Sequence, residues 1–122
     1  MSMERRRARR YQFVADADVL DVESGAHWKT KTGDLSIGGC FVNSRNPIPE
    51  GTDLRVTISY AGRDFTAQGR VVFAFPKLGM GLMFTEVSAN ELPTLVAWLT
   101  ELERRPAAGL ALAYSAHREN KA

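Results

Sequence analysis

Two short segments hold most of the side chains whose types and spacing could do chemistry. Residues 4–11 read ERRRARRY and set five arginines, Arg5, Arg6, Arg7, Arg9 and Arg10, directly ahead of the first alternating segment. An arginine guanidinium is a planar, permanently charged fork that stacks on a purine, pairs with a phosphate, or donates twice to the O6 and N7 acceptors of guanine. Residues 33–41 read GDLSIGGCF, with Asp34 and Ser36 two positions apart. On an extended chain those two side chains point the same way. A carboxylate there can accept from N1–H and N2–H₂ of a guanine, the hydroxyl can add a contact, and a glycine lets backbone approach a flat ligand. Each segment has a plain alternative when taken singly: a solvated basic tail for the first, an ordinary strand-to-turn segment for the second.

Other chemistries find little support. Cys40 is the single cysteine, and it reads as a small buried side chain; with His27 and His117 as the two histidines, no zinc or di-metal ligand set can be assembled. No Walker loop or spaced Ser/His/Asp set is present, and Asp16 and Asp18 alternate with alanines as a solvated strand face does. The chain is therefore read as a binding protein and not an enzyme, with no cofactor. The first ten residues are net +4, which leaves −2 of the chain's +2 over residues 11–122. Basicity confined to one arm differs from the spread expected of a nucleic-acid-binding face. No apolar run reaches the length that spans a bilayer and no apolar stretch follows the arginines, so the expected location is cytoplasmic, without membrane insertion.

The elements that must position the two segments follow from hydrophobic period. At 122 residues with 44% hydrophobic content, one compact domain is expected. Phe13, Ala15, Ala17 and Val19 alternate with polar residues, as do Leu54, Val56, Ile58 and Tyr60, and then Phe65, Ala67, Gly69, Val71 and Phe73. With HWKTKT, CFVNS and MGLMFTEV these make about six short strands separated by Gly and Pro turns, a pattern that favours a closed antiparallel barrel. Ala61 and Gly62 read as a tight turn, and Gly38 with Gly39 as a turn or bulge with unusual backbone angles. From residue 88 the period becomes helical, with Leu92, Leu95, Val96, Leu99 and Leu102 predicted to cover the barrel; Ser88 (with Glu91 in a capping box) or Asn90 is the expected N-cap, and Pro106 ends the helix. The predicted organisation is an arginine-rich arm over residues 1–11, a barrel plus helix over 12–104, and a tail or short second helix over 105–122, where Leu110, Leu112 and Tyr114 could pack on this chain or another.

Together the two segments resemble the PilZ family, whose signature is RxxxR just before the first strand and [D/N]xSxxG some 20 to 30 residues later. Arg6 and Arg10 match the first element, Arg5 takes the place of an additional arginine seen in many members, and Asp34, Ser36 and Gly39 match the second without a gap. Residues 69–84, GRVVFAFPKLGMGLMF, are similar to the family's later strand pair, so the resemblance covers roughly residues 4–103. Arg9 departs from the usual small or apolar residue and creates a second, overlapping RxxxR with Arg5; both registers stay open, with Arg7 and Arg9 as supporting charge.

The resemblance implies a mainly β, six-stranded antiparallel PilZ-like barrel with a C-terminal α-helix. It implies cyclic di-GMP as the ligand, bound by Arg5, Arg6, Arg10, Asp34, Ser36 and Gly39. The arm would fold over the nucleotide and signal through contact with an unidentified protein partner. The additional arginine is associated in the family with an intercalated ligand dimer. The alternatives are a ligand-independent PilZ interaction module and, less favoured because nucleic acid is not expected, a nucleic-acid-binding barrel in which aromatics such as Trp28 or Phe41 stack on bases.

Overall fold

The computed structural model describes residues 8–105. The strands are β1 (Tyr11–Gln12), β2 (Asp16–Asp21), β3 (His27–Ser36), β4 (Gly39–Asn43), β5 (Asp53–Tyr60), β6 (Arg63–Phe75) and β7 (Gly79–Glu86), followed by one helix, α1 (Leu92–Arg104). Six strands in the order β3-β2-β5-β6-β7-β4 are closed into an antiparallel barrel by pairing of β3 with β4, and two-residue β1 lies outside as an added strand on β3. The mainly β barrel with a C-terminal helix is the architecture that the period pattern predicts; β1 is the additional element. The arm arginines Arg5, Arg6 and Arg7 and the tail residues Leu110, Leu112 and Tyr114 lie outside the described residues.

Alternation fixes the inside of the barrel. Phe13, Ala15, Ala17 and Val19 are buried, as are Leu54, Val56, Ile58, Phe65, Ala67 and Val71. The rule fails at Phe73. Val71 pairs with Leu82 but Phe73 pairs with Gly81, so Val72 is an extra residue and β6 carries a bulge. One extra residue reverses side-chain parity, which puts Ala74 against the core and takes Phe73 off the inward face predicted for it. The turn at Ala61 and Gly62 has positive φ at both residues (54° and 79°), the backbone of a type I′ hairpin.

Helix α1 buries Leu95 and Leu102 of the predicted stripe, with Leu99 packed against the core, but adds Trp98 and leaves Leu92 and Val96 exposed. Trp98 packs on Phe13 and Phe65 with ring centroids 5.7 and 6.2 Å apart, and a buried aromatic of this size sets the rotation of the helix over the aliphatic pattern. Neither Ser88 nor Asn90 is the N-cap. Glu91 holds that position without a side-chain bond to the helix, because its carboxylate instead accepts the Thr66 backbone N–H of β6 at 2.9 Å. Pro93 falls in the first turn, where its missing N–H costs nothing. No described helix is long and apolar enough to cross a membrane.

Candidate functional site

The two chemically capable segments meet at the C-terminal end of β3. Tyr11 and Gln12 pair with Leu35 and Asp34, which brings the root of the arm alongside the DxS segment. Between β1 and β2, residues 13–15 are pinned by the buried Thr32: its hydroxyl accepts the Ala15 N–H at 3.0 Å and donates to the Phe13 carbonyl at 2.5 Å. Backbone bonds from Phe13 N–H to the Gly33 carbonyl (3.2 Å) and from Thr32 N–H to the Ala15 carbonyl (2.9 Å) complete the anchor. The arm therefore leaves the barrel at a fixed place and direction.

From that root Arg10 reaches Asp34, its Nη1 donating to Oδ1 at 2.9 Å, with the two side chains 48% and 28% exposed. These residues are 24 positions apart in sequence. Arg9 turns elsewhere, its guanidinium 5.4 Å from the centre of the Tyr11 ring, a cation–π distance. Of the two overlapping arginine registers, the one ending at Arg10 thus meets the carboxylate, while Arg9 stands over Tyr11. A groove of about 300 Å³ adjoins this root, lined by Arg9, Tyr11, Ile37 of the β3–β4 turn, and Val96, Leu99 and Glu103 of α1.

Ser36 and Gly39 close the hairpin between β3 and β4. Ser36 is 5% exposed; its hydroxyl accepts the Gly38 N–H at 3.2 Å and donates to the Gly39 carbonyl at 3.3 Å. Gly39 does not have the unusual backbone angles expected of it, and neither does Gly38: the positive-φ glycines are Gly25, Gly51 and Gly62. What Gly39 supplies is space, because a Cβ there would sit 2.0 Å from the Leu82 carbonyl oxygen of β7. These two motif residues hold the turn and the β4–β7 approach, and so set the backbone that presents Asp34. Cys40, directly behind, is fully buried, and burial first, with the nearby Asp34 charge, pushes its thiol up to about 12.

The opposite end of β3 is built differently. There Lys31 bonds Asp16 at 2.6 Å and Lys29 bonds Asp18 at 3.2 Å, each across the β2–β3 register, and His27 also contacts Asp18. Where β3 and β4 diverge, a cleft of about 470 Å³ opens beside Trp28, Thr30, Asn43 and Arg45. The paired aspartates and surface His27 match their reading as a solvated strand face. Among the described residues, no group of three or more His, Cys, Asp and Glu is gathered as a metal site requires.

Sequence reasoning named Phe41 as a stacking aromatic only for the nucleic-acid alternative and did not join it with Phe73 on the face that carries Asp34. Phe41 and Phe73 stack with centroids 6.3 Å apart, and Phe73 meets Phe75 at 5.3 Å. The signal for Phe73 was hidden by the bulge at Val72.

A family model described as the PilZ domain matches residues 4–101. The chain belongs to the PilZ domain family. Three solved structures of similar fold support the architecture. The PilZ domain of CeSA from a cellulose-synthesizing bacterium superposes with a TM-score of 0.61 at 18% identity, covering 79% of this chain and 99% of that one. The PilZ domain of YcgR from Escherichia coli, solved with c-di-GMP, gives 0.65 at 16% identity over 82% of this chain and 92% of that one. The inhibitor of motility MotI/DgrA from Bacillus subtilis gives 0.64 at 23% identity, covering 83% of this chain and 53% of that one. Among curated proteins no sequence match is found.

Proposed function

We propose that this PilZ chain is a cyclic di-GMP receptor or adaptor, acting in the cytoplasm by protein contact and not by catalysis. The observation that carries the reading is the Arg10–Asp34 pair, which unites the last arginine of RxxxR with the first residue of DxSxxG at one surface point. Family membership and the c-di-GMP in the YcgR structure support the choice of ligand.

The chemistry follows from what each group can exchange. An ion pair as exposed as Arg10–Asp34 contributes roughly 0.2 to 1 kcal/mol. Each hydrogen bond from the ligand to a charged side chain contributes about 1.5 to 3 kcal/mol. A guanine edge offering N1–H and N2–H₂ to Asp34 therefore outcompetes the arginine, and the guanidinium it releases is free for phosphate or for O6 and N7. Asp34 selects guanine over adenine because adenine presents an acceptor at N1. Arg6 joins Arg10 as the leading pair and Arg5 supplements them. Ser36 and Gly39 hold the hairpin that carries Asp34 and line its approach.

In this reading the arm, residues 1–11, orders over the ligand bound to the barrel and helix of residues 12–104. The change in the arm alters what a protein partner meets, a segment-ordering switch. The extra arginine favours two intercalated ligands per chain. The test is isothermal titration with cyclic di-GMP, with cyclic di-AMP and GTP as controls, on the wild type and on Arg10→Ala. Micromolar or tighter guanine-selective binding that is lost in the variant is expected, and the stoichiometry reads one ligand or two. Silence at about 100 μM ligand overturns the receptor reading and leaves a ligand-independent interaction module.

A further inference from the structure

Antiparallel partners directly opposite one another point to the same face of a sheet. Asp34 pairs with Phe41, Phe41 with Gly81, and Gly81 with Phe73, so one row runs across β3, β4, β7 and β6. The adjacent row of Leu35, Cys40, Leu82 and Val71 is buried in the barrel, which places the Asp34 row on the outside. Two aromatic rings thus share the outer face with the carboxylate that faces the arm.

Three glycines make room for those rings to lie on the backbone. A Cβ at Gly81 would come within 2.3 Å of the Phe73 ring, one at Gly79 within 2.7 Å of Phe41, and one at Gly33 within 3.3 Å of Phe41. Side chains at these positions would lift the rings off the sheet. The Phe41 and Phe73 planes are inclined by 26°, and Phe75 extends the surface at 51% exposure. Neither Phe41 nor Phe73 packs against the barrel core. Phe41 and Phe73 are half-buried, and aromatic surface on an outer sheet face beside a hydrogen-bond acceptor is the arrangement that proteins use to stack a base while reading its edge.

We propose that Phe41 and Phe73 form a stacking floor for the purine bases of the nucleotide that Asp34 and Arg10 bind, making both phenylalanines direct ligand contacts. The assignment rests on the receptor reading above and extends it to side chains outside the two motifs. Adjacent strands are about 4.8 Å apart and Asp34 is flanked by β1 and β4, so a base that meets Asp34 from the β4 side covers Phe41. Phe73 carries the same floor toward β6, where a second stacked purine would sit.

The test is titration of cyclic di-GMP into wild type, Phe41→Leu, Phe73→Leu and Phe41→Tyr, with thermal melts of each. Leucine keeps apolar cover over the glycines but lacks a ring face, so each leucine variant should melt like the wild type and bind about 5- to 100-fold more weakly. Phe41→Tyr keeps the ring and should bind within about threefold. If wild type binds while both leucine variants bind within twofold of it, the floor is wrong and the receptor reading stands. If wild type is silent, both fail together. Should a leucine variant lose its cooperative melt, Phe73→Trp decides: its ring retains the stack, and the emission it adds over the wild-type signal of Trp28 and Trp98 should be quenched at ligand saturation, whereas an unchanged difference between the two proteins overturns the proposal.

Discussion

Strand β3 carries carboxylate–cation pairs at both ends of its outer face, and the two ends differ in what holds the cation. At the N-terminal end Lys29 and Lys31 face Asp18 and Asp16 across a continuous ladder. The backbones that carry both partners of each pair are held by sheet hydrogen bonds, so each lysine stays opposite its aspartate while the barrel is closed. At the C-terminal end the cation paired with Asp34 is Arg10, borne by the segment just before a two-residue outer strand. The same ion-pair chemistry joins two ladder strands in one place and the barrel to the root of the arm in the other. What separates them is the carrier of the cation, which residue type alone does not reveal.

The comparison breaks most directly at its carboxylates. In the proposed site Asp34→Ala removes the acceptor for two ligand donors, and affinity for cyclic di-GMP should fall at least about 100-fold. Asp18→Ala should leave affinity within about twofold, because its neighbours stay in the ladder. Calorimetric titration of the two variants side by side checks this. Equal losses would show that the nucleotide is drawn by general surface charge and not by the Asp34 end.

Thr32 is the joint between the two ends, and its loss comes next in size. Thr32→Val keeps the volume but leaves the Ala15 N–H without its acceptor in a buried site, which should cost about 1 to 3 kcal/mol of stability. Urea unfolding measures that loss. Hydrogen exchange should then show faster opening of residues 11–15 with little change at 54–58; uniform acceleration would mean that Thr32 supports the barrel as a whole and is no special anchor of the arm.

Much of this contrast was legible in the sequence, and the illegible parts have particular causes. Alternation placed Leu54 through Ile58 correctly because that strand has no irregularity, and Phe13 through Val19 because Thr32 holds residues 13–15 in step although the strand is interrupted there. It misplaced Phe73 because the bulge at Val72 arises from register with β7, a property of two strands that neither shows alone. The helix was found with Leu95, Leu99 and Leu102 on its inner face, but Trp98 was missed and Leu92 and Val96 were wrongly included, because the exact rotation follows the contacts of Trp98 with Phe13 and Phe65 on the barrel. At the site, DxSxxG marked Asp34, whereas the internal hydrogen bonds of Ser36 and the β7 contact of Gly39 required coordinates. The Arg10–Asp34 meeting spans 24 residues and depends on β1 pairing with β3, so spacing could suggest it but could not supply it.

Beneath the Asp34 end lies a smaller, pH-dependent effect. The Cys40 thiol is pushed from 9.0 to about 12 by burial and then by the Asp34 charge. A thiol that ionises more readily unfolded than folded gives stability that is complete below pH 9 and declines as pH rises toward 12. The slope approaches about 1.4 kcal/mol per pH unit in that window. Melting at pH 8 and pH 10.5 should show this decline in the wild type and a shallower one in Cys40→Ala. Maleimide should leave native Cys40 unmodified at pH 8 and label it once urea unfolds the chain.

The smallest effect is expected at the ladder, and its smallness is what the contrast requires. The hydrogen bond from Lys31, followed by its charge, holds the Asp16 carboxyl below the ordinary 3.8. Such stabilisation is present above the unfolded pKa and is lost as pH falls through the folded one, so it bears only on acid conditions. Lys31→Ala should raise the Asp16 pKa toward its ordinary value by NMR titration. The melting temperature at pH 7 should stay within about 2 °C, since an exposed pair contributes little. Affinity for the nucleotide should also be unchanged. A change of more than threefold would mean that the ladder end transmits to Asp34 along β3, and the two ends would then be one coupled unit.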